Sequence, residues 1–239
     1  TVDGLDYDYE RIYEGPCYGS SRIDGRILFI DTDEGLMELD DGEITKLTSL
    51  PPESRPHGIS YNEANDKYYI ACSYRDAVLE LNESYEITNE LKISDKIDYY
   101  DEPMHHCNDC VATENSLYVS MFSSSGNWKN ESYDGCVTEF NIETGERLRD
   151  VQTDLRMPHN IDMFRGSLHV MDSLAGELLF KHLTVQASFP AFSRGLDYHN
   201  GIYYVGQSKN RNHSKVMGSS KTVSIDCGVV LFDPESIFG

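Results

Sequence analysis

Short runs in which apolar and polar residues alternate dominate the chain, and no stretch keeps the i, i+3, i+4 spacing of a long helix. Alternation with period two sends successive side chains to opposite faces of a strand. Tyr, Val, Ile and Leu fill these runs while Gly, Asn, Asp and Ser separate them, so the pattern predicts an all-β protein. Five runs share one form: LFI at 28–30, YYI at 68–70, LYV at 117–119, LHV at 168–170 and YYV at 203–205. Each follows a turn (DG, ND, ENS, RG or NG) and precedes a further strand, read as GLMELD, AVLELN, GCVTEFN, GELLFK and GVVLFD. Repeats of roughly 35 to 50 residues made of such strands are the signature of a β-propeller. Outer strands are predicted at EITKLT (43–48), YEITNELKI (85–93) and GERLRDVQTD (145–154).

The pattern therefore predicts one domain, 1–239, with blades at about 16–48, 56–93, 105–154, 157–188 and 193–236; a six-bladed ring is the alternative. The fifth repeat has no outer strand of its own, and YERIYE at 9–14 has no blade. This segment is expected to pair beside GVVLFD and close the ring, so that no sheet edge is left open.

The first strand of each propeller blade lines the central channel, so the residue at its start points toward the hub. Those positions read Cys17, His57, Cys107 or its neighbour His106, His159 and Arg194. Pro16, Pro56 and Pro158 would fix the angle at which the chain enters the strand. Thiolate and imidazole donors in one ring suit a transition metal, with zinc first and copper or iron behind it; His57, His106, His159, Cys17 and Cys107 are the candidate ligands. The competing expectation is a polar hub whose side chains bond strand ends through water. The CxxC of Cys107 and Cys110 adds little, because strand alternation is expected to point its thiols to opposite faces. Cys72, Cys136 and Cys227 are expected to be buried thiols on strands.

Charge narrows the partners. Forty-one acidic against twenty basic residues give a net charge of −21, which opposes attraction to nucleic acid or an anionic membrane. No apolar run is long enough to span a bilayer, and the acidic N-terminus TVDGLDYDYERIYEG carries no visible signal peptide. A cytoplasmic location is favoured over secretion, although Asn82, Asn130 and Asn212 each begin an Asn-x-Ser sequon. Basic residues concentrate in one place. The loop 206–228, on the channel-mouth face, carries Lys209, Arg211, Lys215 and Lys221 before its first acid, Asp226. With Arg194 beneath, it is a candidate anion site; Trp128, in the other long loop at 121–135, would cap a ligand or anchor its loop.

The segments HCNDCVATENSLYVSMFSSSG, MPHNIDMFRGSLHVMDSLAGELLF, FSRGLDYHNGIYYVGQSKNR and CGVVLFD resemble the recurring signatures of a bacterial and archaeal propeller-like family described as conserved hypothetical. The resemblance covers roughly 100–233 and brings no established activity. Carried over by position, it marks His106, Asn108, Asp109, Pro158, His159, Asp172, Ser173, Glu177, Arg194, Ser208, Lys209, Arg211 and Cys227, with Asn160 standing where the family often has Ser. The candidate ligand-binding set is then Arg194, Ser208, Lys209, Arg211, Asn108, Asn160 and Trp128. Two function classes follow. One is a binding module for a small anionic metabolite or peptide at the channel mouth. The other is a metal-assisted lyase, hydrolase or cyclase using hub histidines. No Ser-His-Asp order or phosphate-cradling glycine loop is recognisable, and a protein partner is not identified.

Overall fold

The computed structural model describes residues 2–3, 6–7, 10–209 and 227–235. Two short strands, β1 (Val2–Asp3) and β2 (Asp6–Tyr7), pair only with each other. The rest is a five-bladed β-propeller. Blade 1 holds β3 (Cys17–Ile23), β4 (Arg26–Asp31), β5 (Gly35–Asp40) and β6 (Glu43–Thr48) as an antiparallel meander. Blade 2 repeats it with β7 (Pro56–Asn62), β8 (Lys67–Cys72), β9 (Ala77–Leu81) and β10 (Ile87–Lys92). The short helix α1 (Lys96–Tyr100) then leads to blade 3, formed by β11 (Cys107–Ala112), β12 (Ser116–Met121), β13 (Gly135–Asn141) and β14 (Arg147–Leu155). Blade 4 contains β15 (His159–Phe164), β16 (Ser167–Asp172), β17 (Glu177–Phe180) and β18 (Thr184–Ser188). Blade 5 has three strands, β19 (Phe192–His199), β20 (Ile202–Ser208) and β21 (Gly228–Phe232).

Alternation explains how the blades stack. The second strands of blades 2 to 4 offer apolar residues to both neighbouring blades and those of blades 1 and 5 to one, and four apolar clusters fill the seams between consecutive blades. Leu28 and Ile30 meet Ile59 and Ile70 in the first seam; Ala71 and Val78 meet Val119 and Phe140 in the second. Val111 and Val137 meet Ile161 and Val170, and Met171 and Leu178 meet Leu196 and Val205, in the third and fourth. A fifth cluster of Phe122, Met157, Leu174 and Phe192 caps blades 3 to 5 on the face where the innermost strands begin.

The expected closing strand is not formed by the described residues. Residues 10–14 are not in a strand, and β21 pairs only with β20. Tyr13 instead packs on Phe29 of blade 1 at 5.1 Å and donates to Asp31 at 2.8 Å. Asp31 also accepts from the backbone of Asp33 and Glu34, so this carboxylate fixes the turn and the incoming chain together.

Every innermost strand carries a register shift against its partner, near the end that faces the second-to-third-strand loops: Cys17/Ser20, Pro56/Ile59, Cys107/Asp109, His159/Ile161 and Ser193/Gly195. A bulge inserts a residue and turns the side chains beyond it. It decides what faces the channel.

Candidate functional site

The five innermost strands are edge strands of their sheets, and they surround a cavity of about 750 Å³. Ladder pairs define its levels. Ser20, Ser60, Val111, Asp162 and Asp197 pair with Phe29, Tyr69, Tyr118, His169 and Tyr204, the middle residues of the five second-strand triplets, and so form one ring. Three residues back along each strand, nearer the loops, stand Cys17, His57, Asn108, His159 and Arg194. All of the latter line the cavity.

This corrects the sequence-derived hub in blade 3, where Asn108, and neither Cys107 nor His106, occupies the hub level. His106 sits two residues before that level, equivalent to Arg55 in blade 2 and Met157 in blade 4, and all three have left-handed backbones with φ of 55°, 44° and 53°. Cys107 is fully buried, and its thiol donates to the carbonyls of Cys72 and Ala77. Cys110 donates to Tyr69 O in the same seam, so the two thiols share one apolar cluster instead of opposite faces; the intervening bulge cancels the alternation. Burial pushes both thiols well above their ordinary range, which removes them as nucleophiles. Cys72 and Cys136 are buried as expected, but Cys227 is exposed and precedes β21. Cys17 is exposed on the channel wall. Among the described residues no three His, Cys, Asp or Glu side chains stand close enough together to hold a metal ion.

The histidines form an apolar-walled mouth. His57 lies 6.1 Å from His106 between ring centroids; His106 stacks on Phe122 at 4.4 Å and on Trp128 at 4.8 Å, and Phe122 reaches His159 at 5.2 Å. Trp128 thus anchors its loop onto His106. Burial, reinforced by the charges of Arg55 and Arg194, holds His57 down to about 3. Burial and then the His57, Arg55, Lys129 and Arg194 charges hold His106 down to about 3 as well, and burial with Arg194 keeps His159 well below its ordinary value. All three are neutral at physiological pH. The Met157 carbonyl can only accept, so the 2.9 Å contact puts the His159 proton on Nδ1 and leaves Nε2 with a lone pair.

Among the described residues, several buried polar atoms around this mouth have no hydrogen-bond partner: His57 Nε2, His106 Nδ1, Asn108 Nδ2, Trp128 Nε1 and Ser193 Oγ. Their residues, Trp128 apart, are all more than nine-tenths buried. An unsatisfied buried polar group costs about 1 to 3 kcal/mol. Concentrating them at one point is a property of ligand sites rather than of cores.

Two arginines supply positive charge. Arg194 leans over the Phe192 ring at 5.1 Å. Arg55, which the sequence alone did not single out, lies over Tyr74 at 4.9 Å and donates to its hydroxyl at 2.6 Å. Its only signal was the position directly before Pro56. Asn160, with φ of 38°, lines the cavity, while Ser208 donates weakly to Phe192 O at 3.5 Å and Lys209 is exposed beyond β20. Arg211, Lys215 and Lys221 lie outside the described residues.

Midway down the channel, Asp109 accepts from Cys110 N at 2.9 Å and, across the seam to blade 4, from Ile161 N at 3.0 Å. Burial pushes its carboxyl up to about 7 despite these two bonds. Gly58 makes room for it, since a Cβ there would fall 1.6 Å from Asp109 Oδ1.

The family model described as Domain of unknown function (DUF4915) matches residues 55–236. The chain belongs to the DUF4915 family. The match takes in blades 2 to 5 and four of the five hub residues, His57, Asn108, His159 and Arg194. No curated protein sequence matches this DUF4915 chain. Among solved structures, it resembles a protein described as a candidate gluconolactonase, at 15% identity over 84% of this chain and 75% of that one, with a TM-score of 0.64. A nidogen/laminin complex aligns at 14% identity over 80% and 72% of the chains, with a TM-score of 0.60. The calcium-binding protein regucalcin from Agrobacterium tumefaciens aligns at 15% over 83% and 70%, with a TM-score of 0.58. At such identities these propellers bear on the fold of the DUF4915 chain and not on its chemistry.

Proposed function

We propose that the protein binds a small anionic ligand, a carboxylate- or phosphate-bearing metabolite or a peptide, at the loop-side mouth of its central channel. The observation that carries this reading is that Arg194 shares the hub level of the cavity with His57 and Asn108, whose Nε2 and Nδ2 are unpartnered among the described residues, as are Ser193 Oγ and His106 Nδ1 next to that level. Neutral imidazole and amide groups donate to an anion without competing for its charge, and an arginine supplies the countercharge with two parallel N–H groups. Recognition requires no turnover, and the buried thiols offer no nucleophile.

The test is thermal unfolding with succinate, citrate and inorganic phosphate at constant ionic strength. A ligand present at a hundred times its Kd stabilises the fold by about 2.7 kcal/mol. At least one of these anions is expected to raise the Tm of the unaltered protein, and Arg194→Ala to lose that rise. Lys46→Ala, which removes an exposed outer-strand lysine paired with Glu34, should keep it. Equal responses from the two variants would reduce the effect to nonspecific charge.

A further inference from the structure

The far half of the same cavity has the opposite sign. Asp162 and Asp197 share a ring level on adjacent blades and both line the cavity. Among the described residues each carboxylate accepts only its own neighbour's backbone N–H, Met163 N and Tyr198 N, both at 2.7 Å. Among the described residues neither is in an ion pair; Arg22, the cation on that part of the wall, lies two residues deeper on β3 and is paired with neither. Burial, with Asp197 as a further cause, pushes the Asp162 carboxyl up to about 6, so the two acids lie within electrostatic reach.

Arg194 and Asp197 stand three residues apart on β19, which separates their Cα atoms by about 10 Å along the channel. The guanidinium leans back over Phe192, away from Asp197, and does not shorten that span. His57 Nε2 and Asn108 Nδ2, buried and unpartnered among the described residues, stand at the Arg194 end, on the same hub level. The channel is also bordered by the edges of five innermost strands that pair with no further strand among the described residues; Cys110 N and Ile161 N are taken by Asp109 and Ala112 N by Ser60, and other backbone N–H and C=O groups of these edges are left for a strand-like ligand.

We infer that the channel takes an extended zwitterion, a short peptide with free ends, whose carboxylate meets Arg194 and whose ammonium meets Asp162 and Asp197. This rests on the anion-binding reading and names the ligand class of that same site. A tripeptide spans about 10 Å between its charged ends. Its amide groups match strand edges, which an alkyl chain of equal length would leave unbonded.

Isothermal titration calorimetry with triglycine, N-acetyltriglycine and triglycinamide tests it. Acetylation removes the ammonium, and amidation removes the carboxylate. Triglycine is expected to bind at least about tenfold more tightly than either, a difference of about 1.4 kcal/mol. The double variant Asp162→Asn, Asp197→Asn keeps both backbone acceptors and should bind triglycine no better than N-acetyltriglycine, while Arg194→Ala should erase the advantage over triglycinamide. Equal affinity for triglycine and N-acetyltriglycine in the unaltered protein would overturn the zwitterion and leave the anion site standing. Equal affinity for triglycine and triglycinamide would overturn both. No binding of any of the three, in protein that succinate, citrate or phosphate stabilises, would overturn the peptide alone.

Discussion

Replacing Gly19 with alanine is expected to destabilise the protein by at least about 3 kcal/mol, because the new methyl group has nowhere to go. A Cβ at this position would lie 1.8 Å from the carbonyl oxygen of His57 and 2.8 Å from the Cα of Gly58. Both are backbone atoms of the neighbouring blade's innermost strand, so no side-chain rotation can relieve the collision. The first seam must open, and with it the packing of Leu28 and Ile30 on Ile59 and Ile70. Urea unfolding followed by circular dichroism would read the loss as a lower midpoint. Gly228→Ala is the control: nothing lies within 4 Å of its added Cβ, and a change within about 0.5 kcal/mol is expected there. If Gly19→Ala behaved like Gly228→Ala, the close approach of β3 and β7 would be wrong.

The second large effect is a pH dependence from Asp109. Burial raises its folded-state value from 3.8 to about 7, so folding favours the protonated carboxyl. The sign follows from linkage. Below about pH 4 the group is protonated in both states and carries no penalty. Between about pH 4 and 7 the unfolded chain releases the proton and the folded chain keeps it, so stability falls as pH rises, by about 4 kcal/mol in total. In the variant Asp109→Asn the side chain cannot ionise, and its amide oxygen could satisfy only one of the two backbone donors from Cys110 and Ile161, at a pH-independent cost of about 1 to 3 kcal/mol. The unaltered protein should therefore be the more stable of the two at pH 4, lose about 4 kcal/mol relative to this variant by pH 7 so that the order reverses, and keep a constant difference above that. Other carboxylates, such as Asp31 and Asp134, whose backbone and hydroxyl donors lower them, titrate alike in both proteins and cancel. Parallel profiles across this range would show that Asp109 is not a buried, proton-holding group.

How much of this was legible beforehand differs from element to element. The second strands of all five blades, the third strands from Gly35–Asp40 to Gly228–Phe232, and the outer strand Glu43–Thr48 follow from alternation and turn residues. In blades 2 to 4 the second-strand side chains face a neighbouring sheet on both sides, so the requirement for an apolar residue is written locally there. The strand Thr184–Ser188 escaped because its sequence, TVQAS, is half-exposed and nearly without apolar contrast. YERIYE alternates like a strand, yet residues 10–14 run as irregular chain tied to blade 1 by Tyr13.

The candidate site was legible in composition and not in register. His57, His159 and Arg194 could be placed because a proline or a repeat boundary marks the start of each strand. Asn108 could not be separated from Cys107 and His106, since a one-residue bulge shifts side chains without leaving a sequence signature. The chain by itself determined the blade repeat and the polar character of the hub, and favoured five blades over six, because these depend on which residues are apolar at period two. Only the tertiary structure decided that Cys107 and Cys110 share a seam, that Arg55 joins the mouth, and that Asp162 and Asp197 face one channel with Arg194. Those facts depend on how five bulged strands converge on one axis. Convergence is set by packing between residues distant in the chain, and spacing along it carries no record of that.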